Sequence, residues 1–225
     1  MKKLLVLSPH ADDAELGCGG YIARTIAEGG EVLVAVATVG DTKFIHSGRV
    51  VPASERVEEL KGSMSVLGVK DYRVLTYGFD TSLNTYPQGA MVAMLDELQQ
   101  EFKPTEVLVP LPSAHQDHKY CWEVGVASTR PSYSRHSPTI VAAYEYPLTS
   151  WGEGSAARGF NGGLYVNVTS YWDAKVQALE KYKSQMRGAN DLISIHGMEA
   201  LGKLRGLESG FTYAELFYTL RARMP

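Results

Sequence analysis

Seven residues near the start of the chain, Pro9 to Glu15, hold one imidazole and three carboxylates: His10, Asp12, Asp13 and Glu15. Like charges packed that closely cost stability unless a cation offsets them. A second dense cluster lies about 100 residues on, where PSAHQDH (112–118) supplies His115, Asp117 and His118. His10, Asp13 and His118 give two imidazoles and a carboxylate, a common donor set for a catalytic zinc that keeps one position for water. Nitrogen and oxygen ligation without a thiolate also accepts Fe²⁺ or Co²⁺. Such a cation lowers the pKa of its water toward neutrality. Asp12, next to a ligand, then suits the general base. His115, oriented by Asp117, suits protonation of a leaving amine or the steadying of an oxyanion.

Chemistry of this kind requires the two clusters to meet, and the order of elements predicts that they do. Apolar runs at 3–8, 31–39, 73–77, 106–111 and 139–146 read as strands. Helical periodicity falls between them, over 15–28, from Ser54 as N-cap to Gly68, over 89–102 and over about 118–129. That alternation predicts an α/β fold, a Rossmann-like doubly wound, mostly parallel sheet with helices on both faces, in a single domain over 1–225. With strand order 3-2-1-4-5, the order reverses between the first and fourth strands, where such sheets bind ligands. PHADD follows the first strand and PSAHQDH follows the fourth. Beyond 146 comes a glycine-rich loop to 163, then a strand at 164–169 and a helix at 171–185, while the last forty residues are mixed.

Blander roles compete for the same residues. Asp12 or Asp13 suits an N-cap and Glu15 a first helical turn, and H-x-D-H is often a solvated surface cluster. Their joint placement at one switch point argues for a site. Gly17, Gly19 and Gly20 do not fit a dinucleotide fingerprint, whose third small position falls on Ile22. They suit close approach of the first helix to the sheet instead. Arg56 and Asp80 are candidate substrate contacts, against readings as a solvated helix arginine and a turn cap. His46, His136 and His196 lack partners at ligand spacing and read as structural, Cys121 and Trp122 as core.

Composition bounds the rest. The 225 residues carry a net charge of −3 with no basic stripe, which argues against nucleic acid and anionic membranes as partners. No apolar run approaches a membrane span, and the one at the N-terminus is too short for a signal peptide. With only Cys18 and Cys121, the expected setting is cytoplasmic.

PHADDAELGCGG resembles the signature P-H-x-D-D-x-x-L-G-x-G-G of the LmbE-like, or PIG-L-type, metal-dependent N-deacetylases, and SAHQDH resembles their H-P-D-H, with Gln116 where proline is usual. Weaker similarity lies in SERVEEL, in KYKSQ (181–185) and in GFTYAELF (210–217). The resemblance implies zinc on His10, Asp13 and His118, with Asp12 as base and His115 and Asp117 assisting. It implies Arg56 near a sugar, a small N-acetylglucosamine-type substrate, and homo-oligomers such as trimers or hexamers, which the loop 146–163 could serve. A metal phosphohydrolase and a non-catalytic nucleotide- or sugar-binding module are the alternatives. Loops 40–54, 78–88 and 146–163 are expected to shape the mouth of the crevice.

Overall fold

The run Leu4-Leu5-Val6-Leu7 shows why the first strand must be central: all four side chains are buried, on alternating faces. Leu4 and Val6 join one hydrophobic cluster and Leu5 and Leu7 the other. The computed structural model describes residues 1–45, 47–132, 135–147 and 163–224. In chain order the elements are β1 (Lys3–Ser8), α1 (Asp13–Ala27), β2 (Glu31–Val39), β3 (Thr42–Lys43), β4 (Val50–Val51), α2 (Ala53–Leu67), β5 (Asp71–Tyr77), α3 (Gln88–Phe102), β6 (Glu106–Pro110) and α4 (Gln116–Ser128). They continue with β7 (Ile140–Tyr144), β8 (Gly163–Asn167), α5 (Trp172–Leu179), α6 (Ile195–Ser209) and β9 (Ala214–Ala222). The main sheet runs β5-β2-β1-β6-β7-β9-β8. Its first five strands are parallel in the expected order, so the reversal lies between β1 and β6. β9 runs antiparallel to both β7 and β8.

Helices cover both faces. α1, α2 and α5 bury Ile22, Leu60 and Trp172 against one, and α3 and α4 bury Leu95 and Val124 against the other. Among the described residues no helix is long and apolar enough to cross a membrane.

Several boundaries differ from the sequence expectation, each for a local reason. α1 starts two residues early because Ser8, not a residue of the helix, caps it: Ser8 Oγ accepts from Ala14 N at 3.0 Å. Ser54 lies inside α2, whose N-cap position is Pro52. The Asp41 carboxylate accepts from Ala53 N at 2.7 Å and does the capping from the preceding loop. The helix expected over 171–185 stops at Leu179 and continues as turns through Gln185. Within loop 40–54, β3 and β4 pair as a small hairpin. The mixed tail becomes α6 and the interior strand β9. Of loop 146–163, residues 148–162 lie outside the described residues, as does His46.

α4 sits close to the sheet because Gly125 has no side chain. A Cβ there would lie 2.7 Å from Val109 Cγ1 and 3.0 Å from Leu7 Cδ2. Gly125→Ala is therefore expected to lose about 1–2 kcal/mol despite the better helix propensity of alanine, measured by urea denaturation.

Candidate active site

β1 and β6 end side by side, and the chain after each turns into a helix whose first residues face one cleft of about 530 Å³. Ser8 fixes the first turn: besides capping α1, its hydroxyl donates to His10 O at 2.6 Å. Because Ser8 caps the helix, Asp12 holds the N-cap position without a side-chain capping bond, and its carboxylate lines the cleft. The structure thus sets aside the reading of these carboxylates as mere caps. The solvated reading of the second cluster fails too, since Asp117 and His118 are buried.

Asp13 Oδ2 is the centre of the cluster. It lies 3.2 Å from His10 Nδ1 and 3.3 Å from His118 Nε2, and also accepts from His10 N at 3.0 Å. Burial alone would raise the Asp13 pKa, but His118 and His10 hold it well below the ordinary value. These three side chains offer one ligand atom each, all within 4.8 Å of one another. Donors bound at about 2.0–2.2 Å in a tetrahedral shell sit roughly 3.3–3.5 Å apart. The two contacts made by Asp13 come within a few tenths of an ångström of that spacing, and with both imidazoles in reach the donor set fits a divalent cation.

The structure gives Asp117 a different partner from the one expected. Its Oδ2 lies 2.9 Å from His10 Nε2, and its two oxygens accept from Thr81 N at 2.7 Å and Leu83 N at 3.0 Å. The Asp117 carboxylate therefore orients His10, while only its backbone N–H meets His115, and the carboxylate turns Nδ1 of the His10 ring toward Asp13, as a carboxylate behind a metal-binding histidine does. Burial would depress His10, but Asp117 and Asp13 more than offset it and raise the pKa to about 10. His115 is the N-cap of α4, and its Nδ1 accepts from Asp117 N at 3.2 Å. That bond leaves the proton of the neutral ring on Nε2. Burial, with the charges of His10 and His118, lowers the His115 pKa to about 4, so at neutral pH the ring is an uncharged donor.

Asp12 differs sharply from its neighbour. Burial and the adjacent Asp13 push its pKa up to about 7, against the pull of Arg56 and His10. Gln185, with its amide turned to suit the site, donates to both Asp12 oxygens at 3.1 and 2.9 Å. Sequence reasoning flagged KYKSQ without assigning Gln185 a role. The motif is the signal that could have found it. Three residues beyond Asp12, inside α1, Glu15 accepts from Ser63 and Tyr182 hydroxyls, each at 2.6 Å, and is a buried support outside the cleft lining.

Arg56 and Asp80 both line the cleft but are paired with each other. Arg56 also donates to Gly40 O at 3.1 Å and Thr42 Oγ1 at 3.0 Å. Arg56 is thus buried, not a solvated helix residue. Tyr146, also missed from sequence, stacks on His118 with ring centroids 4.4 Å apart. Phe44, Ile45, Ile193 and Arg187 complete the mouth. His136 instead contacts the Pro104 carbonyl at 2.6 Å, away from the cluster.

The chain is similar to known proteins over most of its length. Residues 5–129 match the family described as GlcNAc-PI de-N-acetylase (PIG-L). Over 196 residues the chain is 28% identical to the diacetylchitobiose deacetylase of Thermococcus kodakarensis, covering 82% of this chain and 70% of that one. The N,N'-diacetylchitobiose deacetylase of Pyrococcus horikoshii, solved with an inhibitor, superposes with a TM-score of 0.74 at 25% identity, over 97% of this chain and 84% of that one. The 4-carboxy-2-hydroxymuconate hydratase of Pseudomonas putida superposes with a TM-score of 0.79 at 18% identity, over 100% and 98% of the two chains, a likeness of fold alone.

Two outcomes follow from the cluster. Asp117→Asn is expected to weaken divalent-metal affinity roughly 10- to 100-fold while the protein stays folded, read by competition with a chromogenic chelator. In chelated protein, the raised His10 pKa contributes stability that is fully present below about 6.5 and lost as pH rises through about 10. Thermal melts of chelated wild type should fall over that window, and those of His10→Gln should be flatter.

Proposed function

The chain belongs to the GlcNAc-PI de-N-acetylase (PIG-L) family of N-deacetylases, and on that premise we propose that it removes the acetyl group from an N-acetylglucosamine-containing or related small N-acetylated sugar. The observation that carries this reading is the pair of adjacent aspartates with opposite electrostatic character. Asp13 is held ionised among two imidazoles, and Asp12 is raised to about 7 in the same cleft. Neighbouring carboxylates pushed apart in this way take different chemical roles.

We assign His10, Asp13 and His118 as ligands of a divalent cation, Zn²⁺ in the first place, with Fe²⁺ or Co²⁺ as substitutes. Such a cation supplies Lewis acidity and makes water acidic near neutral pH. Asp12, kept in place by Gln185, takes the proton of the attacking water. His115 Nε2–H donates to the oxygen of the amide as charge develops there, and Asp12 passes the proton it has taken to the departing amine nitrogen as the C–N bond breaks. Donation from a neutral ring fits a pKa of about 4 better than the imidazolium acid does. Asp117 acts through His10. Arg56 and Asp80, at the wall of the cleft, are offered to sugar hydroxyls. The aromatic and aliphatic mouth, Phe44, Ile45 and Tyr146, suits the apolar face of a sugar.

Two-metal phosphoryl transfer finds less support. Among the described residues the second potential donor group, His10, His115 and Asp117, shares His10 with the first. We also place the enzyme in a reducing, cytoplasmic setting, in keeping with two buried free thiols, Cys18 and Cys121.

The test is release of primary amine from a panel of N-acetylglucosamine derivatives. Wild type should act on at least one member and lose that activity to a chelator. Asp12→Asn should lower kcat about 10²- to 10⁴-fold with metal still bound. A metal-loaded wild type that is silent across the panel would discard the sugar substrate.

A further inference from the structure

α1 is two helical pieces. At Cys18 the backbone leaves helical geometry, with φ −145° and ψ 23°, so Asp13–Gly17 and Gly19–Ala27 point in different directions. In an unbroken helix Gly20 N would donate to Leu16 O, four residues back. Here Gly20 N reaches Glu215 Oε1 at 2.9 Å, and Leu16 O accepts from Lys175 Nζ at 2.9 Å. Lys175 and Glu215 join each other at 2.6 Å, so a buried ion pair is inserted into the gap in the helix. Glu215 Oε2 also accepts from Tyr21 N at 2.8 Å. Its carboxylate thereby caps the second piece at the N2 and N3 amides that an N-cap side chain usually serves. The two side chains are only 1% and 4% exposed and belong to α5 and β9, and neither lines the catalytic cleft.

We infer that the Lys175–Glu215 pair is a splint that holds α1 broken at Cys18 and so positions Asp12 and Asp13 against the opposite strand end. The inference rests on the metal-hydrolase reading above. Lever length supports it. Asp13 stands about 7 Å along the helix from Cys18, so a tilt of roughly 15° would move it about 2 Å. That is far more than the ~0.5 Å within which a catalytic constellation must be held, and it would break the 3.3 Å contact of Asp13 with His118. Gly19 makes room for the splint, and Gly17 lets the first piece of the helix approach the sheet. A Cβ on Gly19 would lie 3.1 Å from Lys175 Cγ, and one on Gly17 would collide with Tyr144. Buried ion pairs are poor sources of stability compared with apolar packing, so its placement in the helix gap points to a geometric role. Lys175 and Glu215 are positioning residues.

Glu215→Gln and Lys175→Met test this, with Leu98→Ala, in the far core cluster, as a destabilised control. Three quantities are read: hydrogen exchange at the Gly20 and Tyr21 amides, Zn²⁺ affinity by chelator competition, and kcat and KM separately. The expected result is faster exchange at both amides, Zn²⁺ affinity weakened roughly 10- to 100-fold, and a fall in kcat with little change in KM. Leu98→Ala should melt earlier yet keep wild-type Zn²⁺ affinity. Glu215→Gln preserves shape and carries the test if Lys175→Met does not fold. Variants that melt earlier but bind Zn²⁺ and turn over like wild type would reduce the pair to a stability element and overturn the inference. Wild type that binds no Zn²⁺ would instead overturn the metal reading. The Asp13–His118 separation in a crystal structure of Glu215→Gln then decides for the splint if widened and against it if unchanged.

Discussion

An ionised carboxylate cannot be buried alone, and Asp13 is 3% exposed. Desolvation costs several kcal/mol per ion even after relaxation, and only close opposite charge offsets it. Here that charge comes from His10, three residues back, and from His118, delivered by another strand. The contact between Asp13 and these two imidazoles makes the rest of the architecture necessary. β1 and β6 must be neighbours, their following helices must start at the same depth, and α4 must lie flush against the sheet.

The surrounding hydrogen bonds keep the candidate reactive groups available. Ser8 caps α1, which leaves Asp12 free, and Asp41 reaches across a loop to cap α2, whose inner face carries Arg56. Asp117 spends three acceptor contacts on His10, Thr81 and Leu83, which ties the end of β6 to the loop after β5. Two adjacent aspartates thereby acquire opposite character from environment alone. Asp13 faces imidazoles and stays charged, whereas Asp12, buried beside Asp13, titrates near neutrality. A base is most useful when its pKa lies near the working pH.

The glycines of LGCGG have a structural reason that a fingerprint search misses. Gly17 clears the Tyr144 ring, Gly20 clears Val168, and Gly19 lies against Lys175. The tail of the chain, through α5 and β9, thus reaches under the helix that carries the candidate ligand Asp13.

The sequence by itself determined the parallel sheet, its order and the clusters that meet at its switch point. Those features depend on local signals: buried apolar runs, helical periodicity, and dense charge at two strand ends. It also singled out His10, Asp12, Asp13, His115, Asp117 and His118. Which partner each would take was not legible. Asp117 lies two residues from His115, and local spacing favoured that pair, but the N-terminus of α4 turns its carboxylate toward His10 across the crevice. Arg56 looked as much like a solvated helix residue as a ligand-binding one until Asp80, from another loop, closed on it. Gln185 and Glu215 sat in motifs with no assigned task, because their partners, Asp12 and the Gly20 and Tyr21 amides, are about 170 to 200 residues away. Residue types and strand ends are encoded locally. The direction of a buried side chain is settled only by what desolvation forces it to meet, and that is a property of the assembled tertiary structure.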